Sequence, residues 1–197
     1  MRRRNGAGLA LAAALAVAVT AGAPRAASVI APTFDAMVTR AQAVFVGETV
    51  GVQSRWVSTS SGRAIVTVVT FKVVRTLKGG LGAQTQLEFL GGTVGEDRME
   101  IPGMPQFRVG DEDVLFVDER GQPVSPVVGF MHGRFRVLQD PATGRRSVAR
   151  HNFEPLASVR DIGAATPAPR VASARALSLA AFEDEIARAL RRQREAR

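Results

Sequence analysis

The fourteen residues from Ala64 to Leu77 (AIVTVVTFKVVRTL) constrain the fold more than any other segment. The run is rich in valine, isoleucine, threonine and phenylalanine and contains no proline or glycine, so it is best accommodated as one long β-strand. Val69, Phe71 and Val73 share a face at period two, but the apolar phase is less clean by Val74 and Leu77. The break predicts a β-bulge near residues 73 and 74 and a bend in the strand. A long bent strand suits a small closed barrel.

The flanking segments supply its partners. Ala43 to Val52 (AVFVGETVGV), extended by Arg55 to Val57, predicts a strand entering the turn Ser58 to Gly62 and hence a hairpin with the long strand. Thr85 to Leu90 follows, with Leu87 and Phe89 inward and Gln86 and Glu88 outward. Gly91 to Gly110 is a glycine- and proline-rich connection with Arg98 to Ile101 as a short strand and Pro102 to Pro105 as a turn. Val114 to Val117 is apolar on both faces, as in a buried strand. Phe135 and Val137 alternate with Arg134 and Arg136, and Asp140 to Gly144 turns the chain into Ser147 to Arg150.

The two ends of the chain carry different signals. Arg2, Arg3 and Arg4 precede an apolar run from Leu9 to Val19 and then small residues, which is the layout of a secretory signal peptide; the run is shorter than the ~20 residues needed to span a bilayer. The mature chain is expected to start near Ser28 or Val29. Thr33 caps a short helix through Arg40, with Phe34, Met37 and Val38 on one face. Ser158 to Ala176, alanine-rich and broken by Pro167 and Pro169, reads as a linker. Ser178 then caps a helix whose stripe is Leu179, Phe182, Ile186 and Leu190, with acids early and arginines late as the helix dipole favours. The expected organisation is a signal peptide over 1–27, a β-barrel domain over 28–157, a linker over 158–177 and a charged helix over 178–197, the helix docked on the barrel.

Charge and cysteine content narrow the function. The formal charge of +8 comes mostly from the ends, because positions 28–159 hold 14 basic and 13 acidic residues. The middle of the chain therefore lacks the basic stripe with interleaved aromatics that a nucleic-acid binder shows, and no nucleic-acid partner is expected. The chain has no cysteine, so disulfides, thiolate metal sites and cysteine nucleophiles are excluded.

No catalytic or metal-ligating residue stands out. His132, placed in a strand between Met131 and Gly133, and His151, beside Asn152, are the only histidines, and neither lies in a zinc-binding spacing. The serines include no Gly-x-Ser-x-Gly elbow. Asp111 to Asp113 runs straight into the Val114 strand without the glycine and glutamate of a calcium loop, so it reads as a solvated turn. Gly91 to Gly95 follows a strand but lacks the Gly-Lys-Ser/Thr ending of a phosphate loop and reads as a flexible connection. Trp56, near a hairpin tip, reads either as a contact anchor or as a ring packed on the barrel.

Over residues 41 to 138 the order AQAVFVGETV, VTFKVVRTLKGG, LEFLGG, FRVGDEDVLFV and GRFRV resembles the netrin-like module, the OB-type barrel of tissue inhibitors of metalloproteinases, with Ala43 to Gly47 and Leu77 to Gly79 carrying most of the likeness. The resemblance implies a small closed OB-like barrel of five or six strands that binds proteins and has no enzymatic activity; with the short N-terminal helix and the C-terminal helix read above, the expected fold is mainly β. In those inhibitors the mature chain begins with a cysteine whose amine and carbonyl chelate a protease's zinc. Ser28, Val29 and Ile30 hold the corresponding place here, with nothing covalent to fix them. The resemblance places the contact ridge at Ser28 to Pro32 and the loops at Ser58 to Gly62 and Gly91 to Gly95, so the candidate contact residues are Ser28, Val29, Ile30, Gly91, Gly92 and Thr93, with Trp56 near the hairpin tip added as an anchor.

The expected function is that of an exported, periplasmic or extracellular protein-binding module that partners or inhibits a protease, metalloproteases included. It requires no cofactor and keeps no membrane span after cleavage. The alternatives are an envelope-structural or lipid- or polysaccharide-binding module, and an exported enzyme with an unrecognised site.

Overall fold

The computed structural model describes residues 31–60, 62–118, 120, 124–164 and 175–196. The expected signal peptide and Ser28, Val29 and Ile30 lie outside them. Eleven elements follow in chain order: α1 (Phe34–Arg40), β1 (Ala43–Thr59), β2 (Gly62–Lys78), β3 (Gln84–Leu90), β4 (Gly92–Val94), β5 (Asp97–Met99), β6 (Glu112–Val117), β7 (Arg134–Gln139), β8 (Arg146–Arg150), a 3-10 turn at Val159–Asp161 and α2 (Leu179–Glu195). Six strands form one antiparallel sheet in the order β3-β2-β1-β6-β7-β8, and β4 and β5 form a separate small hairpin.

The long valine-rich segment is strand β2, paired with β1 along its whole length. Val46 opposes Arg75 while Gly47 opposes Val73, so Val74 is the inserted residue of the predicted bulge. Its side chain is half exposed. Gly47 is required at this crossing, because a Cβ there would lie 2.6 Å from the Phe45 ring.

The sheet is open, which corrects the expected closed barrel. Closure would need β3 to meet β8, and among the described residues no ladder joins them. The outer edge of β8 is already occupied: the Val148 amide donates to Leu177 O (2.9 Å), the Leu156 amide donates to Val148 O (3.0 Å), and Ser147 and Ala149 bridge to Ser178 and Pro155. The chain that leaves β8 folds back along it and blocks the edge.

Each face of the sheet has its own core. On the first, α1 and α2 pack Phe34, Met37, Val38, Phe182, Ile186 and Ala189 over Val44, Val46, Val114, Phe116, Phe135 and Val148. The side-chain hydroxyls of Thr33 and Ser178 accept from the amides of Ala36 and Ala181, so both helix starts fall where the capping residues placed them. Arg192 reaches Asp35 (2.8 Å) and Arg75 reaches Glu183 (2.9 Å), tying α2 to α1 and β2. The helix therefore docks on a sheet.

The second face carries Phe45, Val69, Phe71, Leu87, Phe89, Leu115 and Val117, covered by Phe107 and Val127 from connecting segments. β1 and β6 separate the two cores, which is why Val114 to Val117 is apolar at every position. The segment expected as a linker is partly built into the domain: Ser158 and Asp161 form a reciprocal cap, and Ile162 is buried in the helix-covered core. Residues 165–174 of that segment lie outside the described ones.

Candidate functional site

The second sheet face is only partly covered. Connecting segments alone reach over it, and they leave a cleft of about 680 Å³ between the sheet, the β4–β5 hairpin and the segment from Arg98 to Phe107. Val69, Phe89 and Phe107 form its apolar floor, and Met99, Ile101 and Met104 line the opposite wall. Thr67, Thr93, Arg98 and Gln106 add polar groups. Glu100 also lines it, so the exposed lining is about evenly polar and apolar, and the cleft offers a partner both hydrogen-bonding groups and apolar contact area.

Gly91, Gly92 and Thr93 line this cleft, but they are a fixed crossing where a flexible connection was expected. The Gly91 amide donates to Ile65 O (2.7 Å) and the Thr67 hydroxyl donates to Gly91 O (2.7 Å). A Cβ at Gly92 would collide with Ser54 Oγ and Thr67 Oγ1, two hydroxyls that bond each other at 3.0 Å. Only glycine lets β4 approach the β1–β2 arm this closely, and Gly92 has the positive φ of 139° that glycine tolerates. Residues 91 to 93 thus belong to the fold and to the cleft wall together, and the short strand expected at Arg98 to Ile101 is β5, which starts one residue earlier and ends two residues earlier.

Trp56 pairs with Ile65 further along the same face of the arm. It is half-buried, with the Arg63 guanidinium 4.5 Å from its ring centre. The N-terminal part of the expected ridge enters the described residues at Ala31 and Pro32. Pro32 packs against Gly129, and Met131 and Phe130 of the same turn pack on Gly103 at the cleft wall.

The segment forming the cleft wall is clasped to the sheet by charge. Arg134 is bidentate to Asp113, with Nε to Oδ1 and Nη2 to Oδ2 both at 2.9 Å, and the two side chains are 2% and 0% exposed. Arg134 Nη1 also donates to Gln106 O (2.6 Å), and its guanidinium lies 3.9 Å from the centre of the Phe107 ring. Asp111 receives Arg136 (2.7 Å), Arg134 (3.3 Å) and the Arg108 amide (3.0 Å). Burial pushes the Asp113 carboxyl above its ordinary value, and the Arg134 bonds oppose that rise.

This clasp corrects the reading of Asp111 to Asp113 as a solvated turn. Its members share a face because Asp113 and Leu115 on β6 oppose Arg136 and Arg134 on β7. Part of the signal was available: Asp111 and Asp113, at the entry to β6, and Arg134 and Arg136, on β7, repeat at period two with opposite sign. Phe107 and Met104 were missed because they stand in an irregular segment with no period.

The two histidines also meet. His132 lies in the turn before β7, which corrects its expected place in a strand, and its ring sits 5.5 Å from that of His151 in an edge-to-face arrangement. Among the described residues no group of three histidine or carboxylate side chains is arranged to hold a metal ion.

Burial pushes the His151 imidazole below the ordinary value of 6.5, with His132, Arg134 and Arg150 adding repulsion. The folded state therefore prefers the neutral ring. Its stability is fully present above pH 6.5 and declines as pH falls through that value, where the unfolded chain binds the proton first. Denaturant midpoints measured between pH 7.5 and 5.5 should fall more in the parent than in His151→Gln; parallel profiles would show that His151 does not contribute.

Among the described residues no helix is long and apolar enough to cross a membrane. No family model matches the chain, and no curated protein or solved structure matches it either.

Proposed function

We propose that this chain is an exported protein-binding module that uses the cleft on the helix-free face of the sheet as its contact surface. The observation that carries the reading is the asymmetry of the two cores. Two helices close one face, whereas the other keeps an opening of about 680 Å³ over Phe89 and Phe107, held in shape by the Arg134 clasp and the Gly92 crossing. A wall built at the cost of a buried ion pair and a positive-φ glycine is preorganised, and preorganisation reduces the ordering cost of binding. The arginine-led apolar leader supports export, and the likeness to netrin-like modules supports a protein as the partner, a protease among the possible classes.

The test is in-cell crosslinking followed by capture of the tagged mature protein from the envelope and medium. The parent should recover a partner that Thr93→Arg, which places a long cation at the cleft rim, recovers at least tenfold less. Glu195→Arg, at the far end of α2, should recover as much as the parent. Equal recovery by all three proteins would reject the cleft as the contact surface.

A further inference from the structure

Strand β1 is seventeen residues long, but β6 covers only its first part. The β6 register ends at Glu48 opposite Glu112, and the connection before it adds one more exchange, in which the Thr49 amide donates to Asp111 O (2.8 Å) and the Gly110 amide donates to Thr49 O (2.9 Å). The chain then turns away at Gly110, whose φ is 90°. Val50 is the extra residue of a bulge at the same point, and from Gly51 to Ser58 β1 continues paired to β2 on one side. Among the described residues no backbone group takes up its other side.

In an antiparallel strand, alternate residues turn both N–H and C=O toward a given side, so this edge presents a ladder of unmatched donors and acceptors in line with β6. Proteins blunt such edges with charged side chains, proline, bulges or short length. The bulge at Val50 lies before this stretch, whose one charge, Arg55, stands on the face opposite Val52, Ser54 and Trp56 and is paired with Glu88 of β3. Here the eight residues from Gly51 to Ser58 contain neither lysine nor proline and span about 27 Å at the usual rise per residue.

The side chains on this stretch indicate what would pair there. Val52, Ser54 and Trp56 share a face, as their partners Val69, Thr67 and Ile65 do, and Val52 is both 38% exposed and part of the cleft lining. A strand added beside β1 would place every second side chain on that face, at the mouth of the cleft over Phe89 and Phe107. The other open edge, β3, offers Gln84, Gln86 and Glu88 on one face, and the amide of its last residue, Leu90, is taken by Val124 O (2.9 Å).

We infer that β1 from Gly51 to Ser58 is a strand-addition site for an extended polypeptide segment of a partner, with apolar side chains at every second position entering the cleft. This rests on the protein-binding reading and specifies its partner. Main-chain bonds would supply affinity, and the cleft would supply selectivity.

The test uses the mature protein and a ten-residue peptide probe of alternating valine and threonine with a lysine at each end. The peptide should slow hydrogen exchange at alternate amides between Gly51 and Ser58 and leave β3 unchanged. The same peptide N-methylated at alternate residues, which removes its donors on one edge, should bind about tenfold more weakly or worse. Val52→Lys, a charge at the cleft mouth of the edge, should weaken the unmodified peptide by a similar factor while leaving the denaturation midpoint in place.

Protection at β3, equal binding of the methylated peptide, or no protection at millimolar peptide would overturn the assignment. So would concentration-dependent dimerisation that protects the β1 edge without peptide, since the occupant would then be a second copy. Protection at β1 combined with an envelope capture that returns no cleft-dependent partner would instead sink the broader functional reading and leave the edge assignment standing.

Discussion

Replacing Arg134 with methionine is expected to destabilise the domain by about 3 to 5 kcal/mol, the cost of leaving one member of a buried ion pair without its partner. Asp113 would remain fully buried among Leu115 and the arginine-bearing strand, with its two bonds at 2.9 Å gone. The Gln106 carbonyl would lose its donor, and Phe107 would lose the guanidinium stacked on its ring. Small domains are stable by about 5 to 15 kcal/mol in total, so the loss takes a large share.

The double variant Asp113→Val with Arg134→Met should recover more than half of that loss, because replacing both members of a buried pair by apolar groups of similar size is often neutral. Urea unfolding of the two proteins and the parent checks both statements. A single variant within about 1 kcal/mol of the parent would mean that the clasp is solvated and that the cleft wall is held by other contacts.

Phe71→Ala is the second change with a large effect, expected to cost about 3 to 5 kcal/mol through lost burial and the cavity left behind. Phe71 is fully buried on the helix-free face. The centres of the Phe45 and Phe107 rings lie 5.8 and 5.3 Å from its own, both edge-on. Its loss removes support from the cleft floor as well as from the sheet, so binding should weaken together with stability. Val74→Ala, at the bulge and half exposed, should stay within about 0.5 kcal/mol. The contrast separates the two faces of one strand, and similar midpoints for the two variants would contradict the register of β1 on β2.

Period-two patterning made most of this sheet readable before any tertiary contact was known. β-Branched residues place β2, the phase slip marks its bulge at Val74, and Thr33 and Ser178 mark the helix starts, because each of these rests on chemistry within a few residues of the position concerned. The candidate site was legible only in part. Gly91 to Thr93 stood out for composition, yet whether they flex or lock depends on hydroxyls at Ser54 and Thr67, which come from other parts of the chain. Phe107 stands between Gln106 and Arg108 with no repeating pattern, so only its contacts reveal it as the cleft floor.

By itself the sequence determined the strands of the six-stranded sheet, both helices, the hairpin turns, the capped helix ends and the near-neutral middle of the chain, since local sterics, hydrogen bonding and alternation of side chains settle these. Tertiary structure decided whether the sheet closes, and it does not, because the segments around Leu156 and Leu177 return to the outer edge of β8 and use its backbone groups. It also decided the fate of the charges. Arg134 and Arg136 alternate with Phe135 and Val137 as solvent-facing groups do, and only the register of β6 on β7, with Asp113 buried against Arg134 and Phe107 laid over the guanidinium, turns that outward face into an interior.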